Sequence, residues 1–244
     1  MAAVVICAGL AAAQGTPAPP PPPGPGPAAQ TASISFLLES AHRDPPRISL
    51  TIDLLGHATY VAEEAPTEAA SAGPSAPSAS AAPYRVLFDI APNTRDRIFA
   101  LAQALDYFSR DFEFRKHRVA DTGLRTFRYR DAVRQGTTAF HWSENKLIEE
   151  LAGIFESIAL TQDYARRLTY LRKYDKLGLD ANLKRMEELE HAGFLGEIQA
   201  IAPTLRQIAA DPTVMHVARE RAQRFLDRLP PAEALASPAG ESSR

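Results

Sequence analysis

Cysteine is all but missing from this chain. Cys7 is the only one among 244 residues, and it lies in an N-terminal apolar run from Ala2 to Ala13. An intrachain disulfide is excluded, and stability must come from a hydrophobic core, for which 45% hydrophobic residues is ample. Strong charge of either sign is missing too. The formal net charge of -2 gives no global pull towards nucleic acid or an anionic membrane. Glycine-rich phosphate loops and dinucleotide fingerprints are absent, as is the nucleophile elbow of serine hydrolases. His42, His57, His117, His141, His191 and His216 are scattered without the spacing of zinc ligands. Asp175 to Asp180 superficially suggests a calcium loop, but Leu177 stands where a ligand is needed, glycine comes too early, and no closing glutamate follows. A capped turn between helices explains that stretch better. These absences leave no cofactor, no metal and no catalytic residue to name.

What is present falls into blocks. The run from Ala2 to Ala13 is too short to span a bilayer as a mature helix, and Ala11-Ala12-Ala13-Gln14 puts small residues where a signal peptidase reads. We expect a signal peptide over 1–13, one that lacks a basic start, and hence an exported chain, periplasmic or extracellular, with no transmembrane helix once processed. Residues 14–32 are rich in Pro, Gly and Ala and form an expected disordered linker. Residues 62–83 carry Ala, Ser, Pro and Glu without periodicity and read as a disordered insertion in a hairpin, which loop-closure entropy tolerates. The tail 230–244 is also expected to be disordered.

Between these segments the apolar pattern has period 2, with one helical interruption, until Ser143. Ile34, Phe36 and Leu38, then Ile48, Leu50 and Ile52, then Tyr84, Val86, Phe88 and Ile90 alternate as strands. Ile98, Leu101, Ala102 and Leu105 form one helical stripe, with Asn93 or Thr94 as its cap. Phe112 and Phe114 predict a strand continuing through Val119, followed by strands over Leu124 to Tyr129 and Thr138 to Trp142. From Ser143, expected as a helix cap, the period becomes three to four. Leu147, Leu151, Ile154 and Ile158 form the stripe, Ile148 and Phe155 widen it, and it pauses near Thr161 before Tyr164, Leu168 and Leu171. Further helices are expected over Leu183 to Leu189, Leu195 to Ile201, Leu205 and Ile208, and from Asp211-Pro212 to Leu229.

The fold class implied is α+β: an antiparallel sheet domain with one intervening helix over 33–158, followed by an α-helical subdomain over 159–229. Leu147, Leu151 and Phe155 would cover the sheet while Tyr164 onward begins the helical part.

Two polar groupings stand out. His117, Asp121 and His141 fall on or beside neighbouring strands and could supply an acid and a base, although surface imidazoles and a turn aspartate explain them better. Arg115, Lys116, His117 and Arg118, with Arg125, Arg128 and Arg130, could form a basic stripe for an anionic polymer. Alternation with Phe127 and Tyr129 argues instead for a solvated sheet face.

The phrases Asp111-Phe112-Glu113-Phe114-Arg115-Lys116-His117-Arg118-Val119, Trp142-Ser143-Glu144-Asn145-Lys146, Tyr174-Asp175-Lys176-Leu177-Gly178-Leu179-Asp180 and Ile201-Ala202-Pro203-Thr204-Leu205 carry a resemblance to a group of uncharacterised exported bacterial proteins. It covers Tyr84 through Asp227 and implies no activity. Ile201 to Leu226 also resembles a single HEAT-type helical hairpin. The function expected is a non-catalytic binding or scaffolding protein of the cell envelope. The alternatives are an enzyme of unknown class using polar residues of the meander and a module binding anionic polymers through a basic sheet face. Its partner would be another envelope protein or an anionic polymer rather than nucleic acid.

Overall fold

The computed structural model describes residues 31–63, 83–116 and 123–230. The expected signal peptide, nearly all of the linker, the bulk of the 62–83 insertion and the 230–244 tail lie outside the described residues.

Period-2 patterning produces six strands: β1 (Ser33–Glu39), β2 (Arg47–Asp53), β3 (His57–Glu63), β4 (Tyr84–Asp89), β5 (Leu124–Arg130) and β6 (Gln135–Phe140). They form one antiparallel sheet in the order β4-β3-β2-β1-β5-β6. The protein is α+β, strands first and helices after. Register stacks the large apolar residues in rows: Phe36 is paired with Leu50 on one side and Phe127 on the other, and Leu50 with Tyr60. Phe36, Phe127 and Phe155 bring their ring centroids within 5.0–5.5 Å of one another at the centre of the core. The opposite row of the sheet carries Ser35, Thr51 and Thr59, polar groups suited to water on an uncovered face.

Helix α1 (Pro92–Ala104) carries the chain from one edge of the sheet towards the far side of β1, burying Ile98, Leu101 and Ala102. Its cap is not Asn93 or Thr94. Ala91 precedes Pro92, and the orphan amide of Ala91 is satisfied by Glu197 Oε2 at 2.7 Å, while the Thr94 hydroxyl donates to Glu197 Oε1 at 2.5 Å. A carboxylate from the C-terminal half thus caps a helix of the sheet half, where the macrodipole also favours negative charge.

Helix α2 (Lys146–Tyr174) runs 29 residues without the expected pause, roughly 43 Å at 1.5 Å per residue. Asn145, not Ser143, is its N-cap, accepting from the Leu147 amide at 2.9 Å; Ser143 Oγ in turn accepts from the Asn145 amide, and Glu149 reaches back to the Ser143 amide at 2.7 Å. The buried stripe is Ile148, Leu151, Ala152, Phe155, Ile158 and Ala159, one residue round from expectation, so Leu147 is left 38% exposed. The sequence offered apolar residues on both flanks, and the sheet chose the flank carrying Ile148 and Ala152, whose small neighbour lets the helix lie close.

The remaining helices are α3 (Gly178–His191), α4 (Ala202–Ala209) and α5 (His216–Arg228). The segment expected as a helix before Pro203 is a short 3-10 turn, Ile198–Ile201. Helix α5 starts later than Asp211-Pro212, because the Asp211 side chain accepts from the Thr213 amide and folds 211–214 into a turn. Two apolar clusters result. One lies between the sheet, α1 and residues 148–159 of α2; the other gathers Tyr164, Ala165 and Leu168 of α2 with Leu183, Leu205, Ala218 and Phe225. Helix α2 belongs to both.

Two tests follow from these contacts. Glu197→Ala removes the remote cap and should cost about 1 kcal/mol in urea denaturation. Leu151→Asp buries a charge in the shared helix and should abolish sheet and helical signals together; a surviving cooperative helical unit would show that the two clusters fold independently.

Candidate functional site

One concave feature formed by the described residues lies beyond the end of α1. Asp106, Tyr107 and Phe108 all take positive φ (51°, 52° and 65°), a left-handed turn costly for residues with a Cβ. Packing holds it there. Phe108 is buried against Phe127 at 5.3 Å, and Tyr107 lies between the Tyr129 ring (4.6 Å) and the Arg134 guanidinium (4.7 Å). The carbonyl of Tyr107 sits so close to β6 that only glycine fits at Gly136. This turn aims residues 109–116 across the start of α2.

That segment is extended but is not the strand expected from Phe112 and Phe114. Among the described residues its backbone meets the sheet domain through the Phe114 amide and the Trp142 carbonyl, at 3.0 Å, with the two rings edge to face at 4.8 Å. The left-handed turn and this aromatic contact hold the segment off the sheet. Between it and the turn that leads into α2 opens a cavity of about 550 Å³, lined by Arg110, Phe112, Glu113, Lys116, Glu144 and Asn145 among others. Glu113 is its most engaged group. Its carboxylate accepts from the His141 amide at 2.6 Å and lies 3.3 Å from His141 Nδ1. Lys116 and Glu144 pair at 2.7 Å on the exposed rim.

His141 does not line the cavity but is tied to its wall through Glu113, its carboxylate partner. His117 and Asp121 lie outside the described residues, as does Arg118. The basic residues of the expected stripe are not gathered on one face. Arg125 turns inward, where its Nε donates to Glu156 of α2 at 2.5 Å and its Nη1 to the His141 carbonyl at 2.5 Å. Arg128 and Arg130 are exposed on the other face of β5. The sequence pattern already contained this split, because residues 125, 127 and 129 share a face with the buried Phe127. Among the described residues no cluster of three or more His, Cys, Asp or Glu could hold a metal ion.

A second polar site, unmarked in the sequence except as a gap in the apolar stripe, sits at the middle of α2. Thr161, Gln162 and Asp163 are all buried. Asp163 accepts from the Tyr60 hydroxyl of β3 at 2.6 Å, with Arg43 at 3.6 Å and Arg166 at 3.9 Å. Burial raises the carboxyl above its ordinary 3.8, against the opposing pull of the Tyr60 hydroxyl and of Arg43, Arg166 and Arg167. Burial and the adjacent carboxylate likewise push the Tyr60 hydroxyl upward, so it remains a proton donor throughout the ordinary range. Asp163 and Glu156 are two helical turns apart on one face, and each fastens α2 to a different strand. Deep polar groups here act as fasteners between layers.

No protein-family model, curated protein or solved structure is significantly similar to the chain.

The raised pKa of Asp163 gives a signed prediction. A native pKa above the unfolded one means that its contribution is fully present below about pH 3.8 and is lost as pH rises through the native pKa. Asp163→Asn, which still accepts from Tyr60, should remove that part of the decline; its stability relative to wild type should therefore be better at neutral pH than at pH 4 in parallel urea titrations. Equal differences at both pH values would contradict the raised carboxyl. Tyr60→Phe leaves the same buried carboxylate without its donor and should cost about 1–3 kcal/mol.

Proposed function

We propose that this is an exported binding or scaffolding protein of the cell envelope without a catalytic role, its folded part carried on the Pro-rich segment that precedes residue 33. The observation that supports a binding role is the use made of its buried and half-buried polar groups. Asp163, Tyr60, Arg125, Glu156 and Glu197 each join one layer or one half of the molecule to another. Groups so employed build a rigid platform, on which recognition belongs to the surface. The organisation proposed is a sheet domain over 33–158 and a helical subdomain over 159–229, with the adjacent pair α4 and α5 as its HEAT-like hairpin.

One observation favours an enzyme instead, namely the Glu113 and His141 pair beside the open cavity. A carboxylate holding an imidazole is the arrangement that orients a general base. In this protein, however, the same carboxylate also holds the His141 main-chain amide, which gives the pair a sufficient structural purpose. The third alternative, an anionic polymer on the sheet, has lost its continuity with the inward turn of Arg125.

Cell fractionation with N-terminal sequencing tests export. A mature chain beginning near Gln14 in the periplasm or medium is expected, and an intact Met1 on cytoplasmic protein would overturn it.

A further inference from the structure

The charge that the sheet does not gather on one face is gathered on the C-terminal half of α2. From Ala165 to Tyr174 the helix carries Arg166, Arg167, Arg172 and Lys173 and no acidic residue, and Asp175, which follows it, turns its carboxylate to the Gly178 amide at 3.2 Å. Two of these are directed inward. Arg172 reaches Asp211 at 3.8 Å and the Gln207 carbonyl at 3.4 Å, and Arg166 lies beside Asp163. Arg167 and Lys173 stay on the exposed side, Arg167 with one Nη donating to the Asp44 carbonyl at 3.2 Å. Between and beyond them stand Tyr170 (61% exposed), Tyr174 (63%) and, in the turn that follows, Leu177 (75%). Residues 167, 170 and 174 repeat at three and four positions, so they share one face of the helix. The two tyrosine rings are 4.9 Å apart, and Lys173 Nζ lies 4.9 Å from the Tyr174 ring. Ala181 and Lys184 continue the exposed side on the first turns of α3.

Cations near a helix C-terminus are expected from the macrodipole alone. That accounts for Arg172 and Lys173 but not for two exposed tyrosines and an exposed leucine beside them. Other large exposed apolar residues, among them Leu54 and Leu55 in the turn after β2 and Met215 and Val217 at the start of α5, have no exposed tyrosine beside them in the chain. A face that combines cations, phenol rings and an aliphatic tip complements a surface that is anionic outside and apolar just beneath. Tyrosine places an apolar ring and a polar tip at such a boundary, lysine and arginine meet phosphates, and leucine reaches the acyl region. A soluble polyanion would reward the charges and gain nothing from Leu177.

We infer that the face formed by Arg167, Tyr170, Lys173, Tyr174 and Leu177 docks the protein onto the headgroup region of an anionic lipid bilayer. This inference rests on the binding role proposed above, and it names the partner. No membrane crossing is involved: no helix of the described residues is long and apolar enough to span. The face is the outer side of a helix whose inner side is packed against α3 and α4, so contact is peripheral and reversible.

Purified full-length protein is sedimented with vesicles of phosphatidylcholine alone and of phosphatidylcholine mixed with phosphatidylglycerol. Partition onto the mixed vesicles that weakens with salt is expected. The variant Arg167→Glu/Lys173→Glu and the charge-neutral variant Tyr170→Ser/Tyr174→Ser/Leu177→Ser should each lower it by more than about tenfold. Both change only exposed side chains, and unaltered circular dichroism confirms the fold. Failure to partition onto the mixed vesicles, or equal partition by all three proteins, overturns the inference. So does binding to a soluble anionic polymer, polyphosphate or a polyuronate, that is lost with the charges but kept in the Tyr/Leu variant. Because the assay uses purified protein, its failure leaves the export result standing, and failed export leaves the vesicle result standing.

Discussion

One helix has to satisfy two cores. Helix α2 lies over the sheet with its first three turns and inside the helical cluster with its later ones, so at Thr161–Ala165 it passes from one to the other with no side facing water. A turn enclosed on every side must either be wholly apolar or find a partner for each polar group, because unpaired polar groups away from water are costly. Here the Thr161 hydroxyl donates back to the Ser157 carbonyl and Asp163 takes the Tyr60 hydroxyl, while the Gln162 Nε2 finds no partner among the described residues. The position of β3 beneath α2 is set by that bond as much as by apolar contact.

Other features are arranged round the same crossing. Glu156 pairs with Arg125 two turns earlier, so α2 is held to β5 near one side of the sheet and to β3 towards the other. Glu197, in left-handed backbone at φ 55°, comes from beyond α3 to cap α1. The Gly196 amide donates to the Ser157 carbonyl of α2, which brings that cap to its place. A carboxylate that is paired in this way adds little net stability compared with a well-packed apolar residue, yet removing its partner is expensive. The network therefore specifies one relative placement of the layers.

Much of the fold was legible in the chain. The change from period 2 to period 3.6 at the end of β6, the strands round Phe36, Leu50 and Phe88, and the stripe of Ile98, Leu101 and Ala102 follow directly from side-chain spacing. The misplacements have specific causes. Phe112 and Phe114 alternate like a strand, but both sides of β1 are taken by β2 and β5, and Tyr107 crowds β6 at Gly136, so the segment packs by its rings instead. Ser143 and Asn145 are both competent caps, and the backbone chose the second. Of the candidate site, His141 was visible as a polar residue beside a strand; Glu113, its partner, was not, since nothing in a Phe-Glu-Phe alternation marks the glutamate as more than solvated.

The amino-acid sequence by itself determined the elements, their order and the α+β class, because periodicity and turn chemistry act over a few residues and are written locally. Tertiary structure alone decided which flank of α2 meets the sheet and which charges meet each other. Tyr60 and Asp163 are 103 residues apart in the chain, Ala91 and Glu197 106, and Arg125 and Glu156 31. Such pairs depend on which strands become neighbours and on how far a helix rotates to bury its best face, and local spacing carries neither quantity. For the same reason the exposed face of Tyr170, Lys173 and Tyr174 could be recognised only once the opposite side of α2 had been buried.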